Sequence, residues 1–301
     1  MTFSRSCPVC QASLEKAKLF LDKNINVAKL SGFSFSSRKE PEHMCHRLML
    51  CTVCDLVFAD QPPEQAELSL AYHLADYDSS EEASEAALAY LSAIGPTLNS
   101  LGRHESVLEI GTGTGVFLEH LAQSGFTRLT GIEPSALAIA AAPEHRRGWI
   151  REGIFDETEF PPASYDLICC FMTMEHVLDP AEISRAAFRL LRNGGAFVTV
   201  THDYRSFVNR VMGRWSPIID IEHLQLFSER SVRQLFNNTG FKDVTVSAFA
   251  NAYALRYWIR LLPLPRRLKA VFTEVTGALG IGDAQLSINV GNFITAGFKR
   301  A

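Results

Sequence analysis

The sequence predicts an α/β fold: a mostly parallel sheet covered by helices on both faces. Two observations predict it. From residue 106 onward, short apolar runs rich in Val, Ile, Leu and Phe alternate with segments of helical apolar spacing. The first of these runs, "SVLEIG", breaks directly into three alternate glycines, Gly111, Gly113 and Gly115. No internal repeat or low-complexity run competes with this pattern.

The elements follow in order. Residues 1–62 carry four paired cysteines and close on "QPP", a boundary signal. Residues 63–104 form a helical linker. Within it, "SSEEASEAALAYLSAI" has a serine cap region, early acids and helical spacing, and the helix is expected to stop near Gly95–Pro96. The third region, 105–301, holds the alternating core. "SVLEIG" is a strand, "GVFLEHLAQSG" a helix, "RLTGIEP" a strand and "SALAIAAA" a helix. "YDLICCFMT" is a strand, "DPAEISRAAFRLLRNGG" a helix with a glycine stop, and "AFVTVTHD" a strand. "SERSVRQLFNNTG" and "FKDVTVSAFA" add a helix and a strand, and "LSINVGNFITAGFKR" supplies one more strand. Two segments, about 203–224 and 251–284, interrupt the alternation after late strands. They read as substrate caps, because aromatic and basic residues cluster in both.

Bulk properties bound the function. The 301 residues are 47% hydrophobic and 21% charged, with a net charge of −4. An acidic balance argues against a dedicated nucleic-acid binder, so no nucleic-acid partner is expected. No stretch approaches the length of a membrane span, and the start, "MTFSRSCPVCQ", lacks an apolar signal region. A cytoplasmic chain is therefore expected, in which seven cysteines suggest metal binding more than disulfides.

The glycine loop narrows the ligand. A dinucleotide fingerprint requires glycine at position 116, which is Val116, and a P-loop requires a lysine that is absent. The pattern is E-x-G-x-G-x-G. Glu109 at the strand end is a poor neighbour for pyrophosphate and suits a ligand carrying an ammonium group. Glu133, in "GIEPS", closes the second strand, where a carboxylate accepts hydrogen bonds from both ribose hydroxyls and repels a 2′-phosphate. Ribose without pyrophosphate, together with an ammonium, describes S-adenosylmethionine.

At this point the sequence resembles a known family. "VLEIGTGTGVFLEHL", "GIEPS", "YDLICCFMTMEHVLDP" and "LLRNGGAFVTVTH" are similar to the successive signatures of class I methyltransferases that use S-adenosylmethionine, over roughly residues 105–250. The resemblance implies a Rossmann-like core with a mostly parallel seven-stranded sheet. It assigns Gly111, Thr112, Gly113 and Gly115 to the methionine part, beside Glu109 at the strand end, and Glu133 to the ribose, with Pro134 next to it. Phe171, Met172 and His176 then line the methionine and reaction side. The adenine-binding Asp of many relatives falls on Ile154 here, which leaves adenine to backbone groups and to Ile154 and Phe155. Asp156 reads as a turn acid.

"CPVC" and "CTVC" set Cys7, Cys10, Cys51 and Cys54 in a C-x2-C…C-x2-C arrangement. Four thiolates suit a tetrahedral, closed, structural Zn²⁺ site. Four buried free thiols are the plainer alternative. The 40-residue spacer would hold a sub-lobe with "FSFSSRKEPE" at its edge, and His43, Cys45 and His46 lie near the second pair. Cys169 and Cys170 read as core thiols. A cysteine-rich lobe ending in "CTVCDLVFA" before such a core resembles the deoxysugar C-methyltransferases, which act on nucleotide-linked keto-sugars. That family's "Y-H-E-H" run is half matched by "DIEHLQLFS": Glu222 and His223 match, whereas Asp220 and Ile221 replace the Tyr and first His.

His223 is accordingly the first candidate base and His202, just past a strand end, the second. The acceptor expected is a small molecule, most plausibly a sugar or nucleotide-sugar. Arg205, Arg210, Arg214 and Trp215, with Tyr253, Arg256, Tyr257, Trp258, Arg260, Arg266 and Arg267, offer a pyrophosphate and base cradle or a solvated face. Two alternatives stand beside this reading. In one, the acceptor is phenolic or lipid-linked and "YALRYWIRLLPLPRRLKAVF" makes peripheral membrane contact. In the other, the chain is a non-catalytic scaffold that binds S-adenosylmethionine.

Overall fold

The computed structural model describes residues 4–36, 41–77, 80–262 and 264–300. Residues 37–40 of the "FSFSSRKEPE" run and the Arg266 side chain lie outside them. The N-terminal region contributes β1 (Ala17–Leu21), β2 (Leu48–Cys51) and β3 (Val57–Ala59), all antiparallel. Helices α1 (Gln65–His73) and α2 (Ser80–Ser100) follow. The core then alternates: β4 (Ser106–Ile110), α3 (Val116–Gln123), β5 (Arg128–Glu133), α4 (Ala136–Ala141), α5 (Glu144–Arg147), β6 (Ile150–Glu152), β7 (Tyr165–Phe171), α6 (Pro180–Leu190) and β8 (Leu191–His202). The chain continues through α7 (Phe207–Met212), β9 (Gln225–Leu226), α8 (Glu229–Thr239) and β10 (Lys242–Ala254). It closes with α9 (Leu255–Leu261), α10 (Arg266–Ala278) and β11 (Gln285–Phe298).

The main sheet has seven strands in the order β10-β11-β8-β7-β4-β5-β6. Strands β4 to β8 pair in parallel, while β11 runs antiparallel to both β8 and β10. The Rossmann-like, mostly parallel seven-stranded sheet expected from the sequence is thus the observed one. The central strands β4 and β7 are buried throughout, as a sheet covered on both faces requires. Ala86, Tyr90 and Ile94 of α2 with Leu118 and Leu121 of α3 cover one face. Ala187 and Leu190 of α6 with Leu235 and Phe236 of α8 cover the other.

Three boundaries differ from expectation. Helix α2 passes Gly95 and Pro96 and runs to Ser100. Burial of Leu98, and of Leu101 just beyond, outweighs the cost of about 3 kcal/mol for an internal proline. Helix α6 ends at Leu190, before the glycines, because Leu191 turns extended and pairs with Tyr165. The second interruption is shorter than 251–284: residues 251–254 belong to β10, so only α9, α10 and the following turn leave the sheet.

The N-terminal sheet is completed by a strand from far along the chain. Its order is β1-β2-β3-β9, and β9 follows directly on Glu222 and His223. Arg5 ties the same regions together: its guanidinium donates to the carbonyls of Ala59, Leu178 and Leu224 and to Gln225 Oε1. Cys7, Leu56 and Phe58 pack in one apolar cluster with Ile168 and Phe227.

Candidate active site

Strand β4 ends at Ile110, and the chain turns through three glycines with φ of +78°, +56° and +69°. Their reasons differ. A Cβ on Gly111 would stand 2.2 Å from the Thr173 hydroxyl. A Cβ on Gly113 would enter open space, and Gly113 lines a cavity. Gly115 is the left-handed N-cap of α3 and faces Ile150 and Arg146 rather than the cavity.

The cavity measures about 700 Å³ and opens at the carboxyl ends of the parallel strands. On the β5–β6 side it is lined by Glu133, Pro134, Ile154 and Phe155, and at its centre by Glu109, Gly111, Thr112, Phe171 and Met172. Glu109 is almost fully buried. Burial pushes its carboxyl up to about 8, against a hydrogen bond from the Thr112 hydroxyl and with the added repulsion of Glu133. Glu133 Oε2 accepts the Gly113 N–H at 2.7 Å and Oε1 accepts the Ser135 N–H at 2.8 Å. Burial raises this carboxyl too, against those two bonds. Each carboxylate oxygen keeps a lone pair for a ribose hydroxyl. Phe155 stacks on Phe160 with ring centroids 5.9 Å apart. Asp156 caps the turn at 157–159 by accepting the Thr158 N–H.

On the β7–β8 side the same cavity meets a dense polar cluster. The Tyr72 hydroxyl lies 3.1 Å from His176 Nδ1, which is also 3.2 Å from the Glu222 carbonyl and 3.7 Å from its carboxylate. His223 Nδ1 lies 2.8 Å from the Ile218 carbonyl, so it carries the proton and Nε2 holds the lone pair. The His223 ring sits 4.9 Å from that of His176 and 5.6 Å from that of His202. Burial and the neighbouring His176 lower the His223 pKa, with Glu222 opposing, and burial likewise lowers His176. Both rings are therefore neutral near pH 7. Glu175 is fully buried, 3.3 Å from His202 Nδ1, and also accepts the His202 N–H at 2.8 Å. Burial raises this carboxyl, but His202, His223 and His176 together hold it below its ordinary value. His176, Glu222 and His223 present potential ligand atoms within 4.8 Å of one another.

The four cysteines also meet. Cys7 and Cys54 sulfurs are 3.4 Å apart and those of Cys10 and Cys51 3.5 Å, with all four within 4.8 Å of one another. A tetrahedral ion with sulfur bonds of about 2.3 Å needs sulfurs about 3.8 Å apart, so the donor set fits. His43, Cys45 and His46 do not join this group among the described residues. Cys169 and Cys170 are buried in β7.

The cap arginines are largely engaged elsewhere. Arg205 pairs with Asp55, Arg256 with Glu81 and Asp283, and Arg260 with Glu82. Tyr253, Tyr257 and Trp258 line the cavity but are buried in the α2–α3 core cluster. Arg210 and Arg214 stay exposed, the latter stacked over Trp215 at 4.9 Å. Sequence reasoning missed Tyr72 and Glu175. Glu175 stands next to His176 in "MEHV", a signal available to inspection. Tyr72 carries no local signal, since α1 brings it across 104 residues of separation.

The chain is similar to known proteins. Residues 79–246 match a family model described as a methyltransferase domain. The ubiquinone biosynthesis O-methyltransferase of Sodalis glossinidius is 30% identical over 117 residues, 36% of this chain and 47% of that protein. That of Pseudomonas fluorescens strain Pf0-1 is 30% identical over 120 residues, 36% of this chain and 50% of that protein. The chain spans about half the length of the curated relatives it matches. A solved SAM-dependent methyltransferase from Archaeoglobus fulgidus superposes with a TM-score of 0.49 at 15% identity, covering 71% of this chain and 94% of that one.

Proposed function

The chain belongs to the methyltransferase-domain family, and from that premise we propose that it transfers a methyl group from S-adenosylmethionine to a small polar acceptor of the keto-sugar or nucleotide-sugar class. One observation carries the acceptor reading. Tyr72, His176, Glu222, His223 and His202 crowd one side of the cavity that the glycine loop also lines, with Glu175 buried against His202. Simple alignment of a reactive hydroxyl needs few such groups. Removing a proton from carbon or a sugar hydroxyl needs a neutral base in an organised, buried setting. The tyrosine sought at position 220 has a counterpart in Tyr72.

S-adenosylmethionine supplies an activated methyl on sulfonium. The chain's residues hold and orient the reactants. Glu133 takes the ribose hydroxyls, Glu109 the ammonium, and Ile154 and Phe155 flank the adenine. Phe171 and Met172 wall the reaction side and help exclude water. His223 Nε2 accepts the acceptor's proton as the new bond to methyl forms and the bond to sulfur breaks. Glu175 orients His202 beside it. The four-cysteine cluster is assigned to Zn²⁺, as a closed structural site in a 1–62 lobe joined through a 63–104 linker to the 105–301 core.

A second reading, methylation of a phenolic or lipid-linked hydroxyl, is favoured by exposed apolar side chains at the cavity rim and by the ubiquinone O-methyltransferase relatives. Release of S-adenosylhomocysteine against a panel of nucleotide-sugars, 4-keto-6-deoxy forms included, and phenolic and lipid-linked acceptors tests both. Turnover on a keto-sugar, lost in His223→Ala, is the expected result. Turnover only on phenols or lipid-linked acceptors overturns the sugar assignment. Tight binding of S-adenosylmethionine without any turnover would leave a non-catalytic scaffold.

A further inference from the structure

Helix α10 exposes an apolar stripe that stays open to solvent among the described residues. Leu268, Val271, Phe272, Val275 and Leu279 recur at i, i+3, i+4, i+7 and i+11. At 100° per residue they fall within an arc of about 100°. A stripe so arranged normally faces a core, yet these five side chains are 47–67% exposed. On the same projection exposed Arg267 stands about 100° to one side of Leu268, and half-buried Lys269, which donates to the Arg260 carbonyl, about 100° to the other. The helix itself holds one acid, Glu274.

Exposed apolar side chains also stand at the cavity. Leu262 and Ile288 are exposed and also line it. Helix α7, which lines it through Val208 and Met212, turns outward Phe207, 82% exposed, and Val211, 70% exposed. Exposed Arg210 and Arg214 sit beside them.

We infer that α10 and α7 dock the protein on an anionic lipid bilayer, as a peripheral contact that sets the cavity mouth at the membrane surface. The inference concerns this surface and does not depend on which acceptor is methylated. An apolar stripe bordered by cations matches an interface in which side chains enter the acyl boundary while ammonium and guanidinium groups meet phosphate. A second copy is the poorer occupant. Two-fold pairing with the helices parallel would bring Arg267 of each copy together, and pairing over the stripe would crowd the rim formed by Leu262 and Ile288. No helix among the described residues is long and apolar enough to cross a membrane, so the contact is a surface one.

Flotation of the full chain with phosphatidylcholine vesicles, with and without phosphatidylglycerol, tests this at low salt. The wild type is expected to float with the anionic vesicles and to be released as salt rises. Phe272→Glu with Val275→Glu should lower the bound-to-free ratio by about tenfold or more. Arg267→Glu with Lys269→Glu should abolish the preference for anionic lipid. Arg267, Phe272 and Val275 are exposed, whereas Lys269 is half-buried with its ammonium on the Arg260 carbonyl, so unchanged near-UV circular dichroism of each variant verifies folding. Equal flotation of wild type and the Phe272/Val275 variant overturns the inference, as does no flotation of the wild type. A dimer in light scattering that this variant dissociates, without flotation, assigns the stripe to a second copy and also overturns it. Because neither cofactor nor acceptor is present, failure here is separate from failure of the methyl-transfer reading.

Discussion

Replacing Glu109 with Gln should stabilise the ligand-free protein and weaken its binding of S-adenosylmethionine. The carboxyl is buried at the end of β4 and titrates at about 8 instead of the ordinary 4.5. In the unfolded chain it loses its proton near 4.5, whereas the folded chain keeps it until pH 8. Between those values the folded state binds more protons, so rising pH favours unfolding. The penalty grows by about 1.4 kcal/mol per pH unit and reaches about 3 kcal/mol at pH 7. Glutamine has the same shape, still accepts from Thr112, and never ionises. Urea denaturation at pH 5, 6, 7 and 8 should therefore show the variant gaining on the wild type as pH rises. Binding reverses the balance, because an ammonium beside Glu109 favours the ionised form. Calorimetry in two buffers of different ionisation heat should detect about 0.9 proton released per S-adenosylmethionine bound at pH 7. The variant should release none and bind at least about tenfold more weakly. Parallel denaturation of the two proteins from pH 5 to 8, or binding without proton release, would refute the reasoning.

Gly111→Ala should leave the fold intact but abolish cofactor binding measured by calorimetry, since its Cβ would collide with Thr173 at a positive φ. The acid limb of the pH–rate profile should lie below the ordinary histidine range, because burial lowers the His223 pKa; a limb above pH 7 would remove His223 as base. Glu175→Gln should cost roughly 10–100-fold in turnover with little change in KM, as loss of an orienting partner does. Metal analysis should find about one zinc per chain, lost in Cys51→Ser together with thermal stability.

Much of the β4–β5 side of the cavity was legible in the sequence. Strand ends fix where their last residues and the next ones point, so Glu109, Gly111 and Glu133 reveal themselves by standing at the ends of β4 and β5. The parallel sheet and its helices follow from the period of apolar residues, which is a local property. Helix ends were less legible. Burial of Leu98 carried α2 through Pro96, and a pairing with Tyr165 stopped α6 before its glycines.

The acceptor side was decided by tertiary structure. His176, His202 and His223 are scattered over 48 residues of chain and meet because β7 and β8 are neighbours in the main sheet, while the Leu224 and Gln225 N–H groups donate to the Glu175 carbonyl and hold the approach to β9 there. Tyr72 reaches them from a linker helix that local pattern marks as merely helical. The arginines that looked like a phosphate cradle found carboxylates on α2 and beside the cysteine pairs instead. Periodicity announces that a helix has an apolar face; only packing determines whether that face is covered, as in α2, or left to solvent, as in α10. The sequence by itself determined the sheet and its glycine loop, because those depend on neighbours along the chain. The tertiary structure alone decided which distant side chains share a cavity, because that depends on neighbours in space.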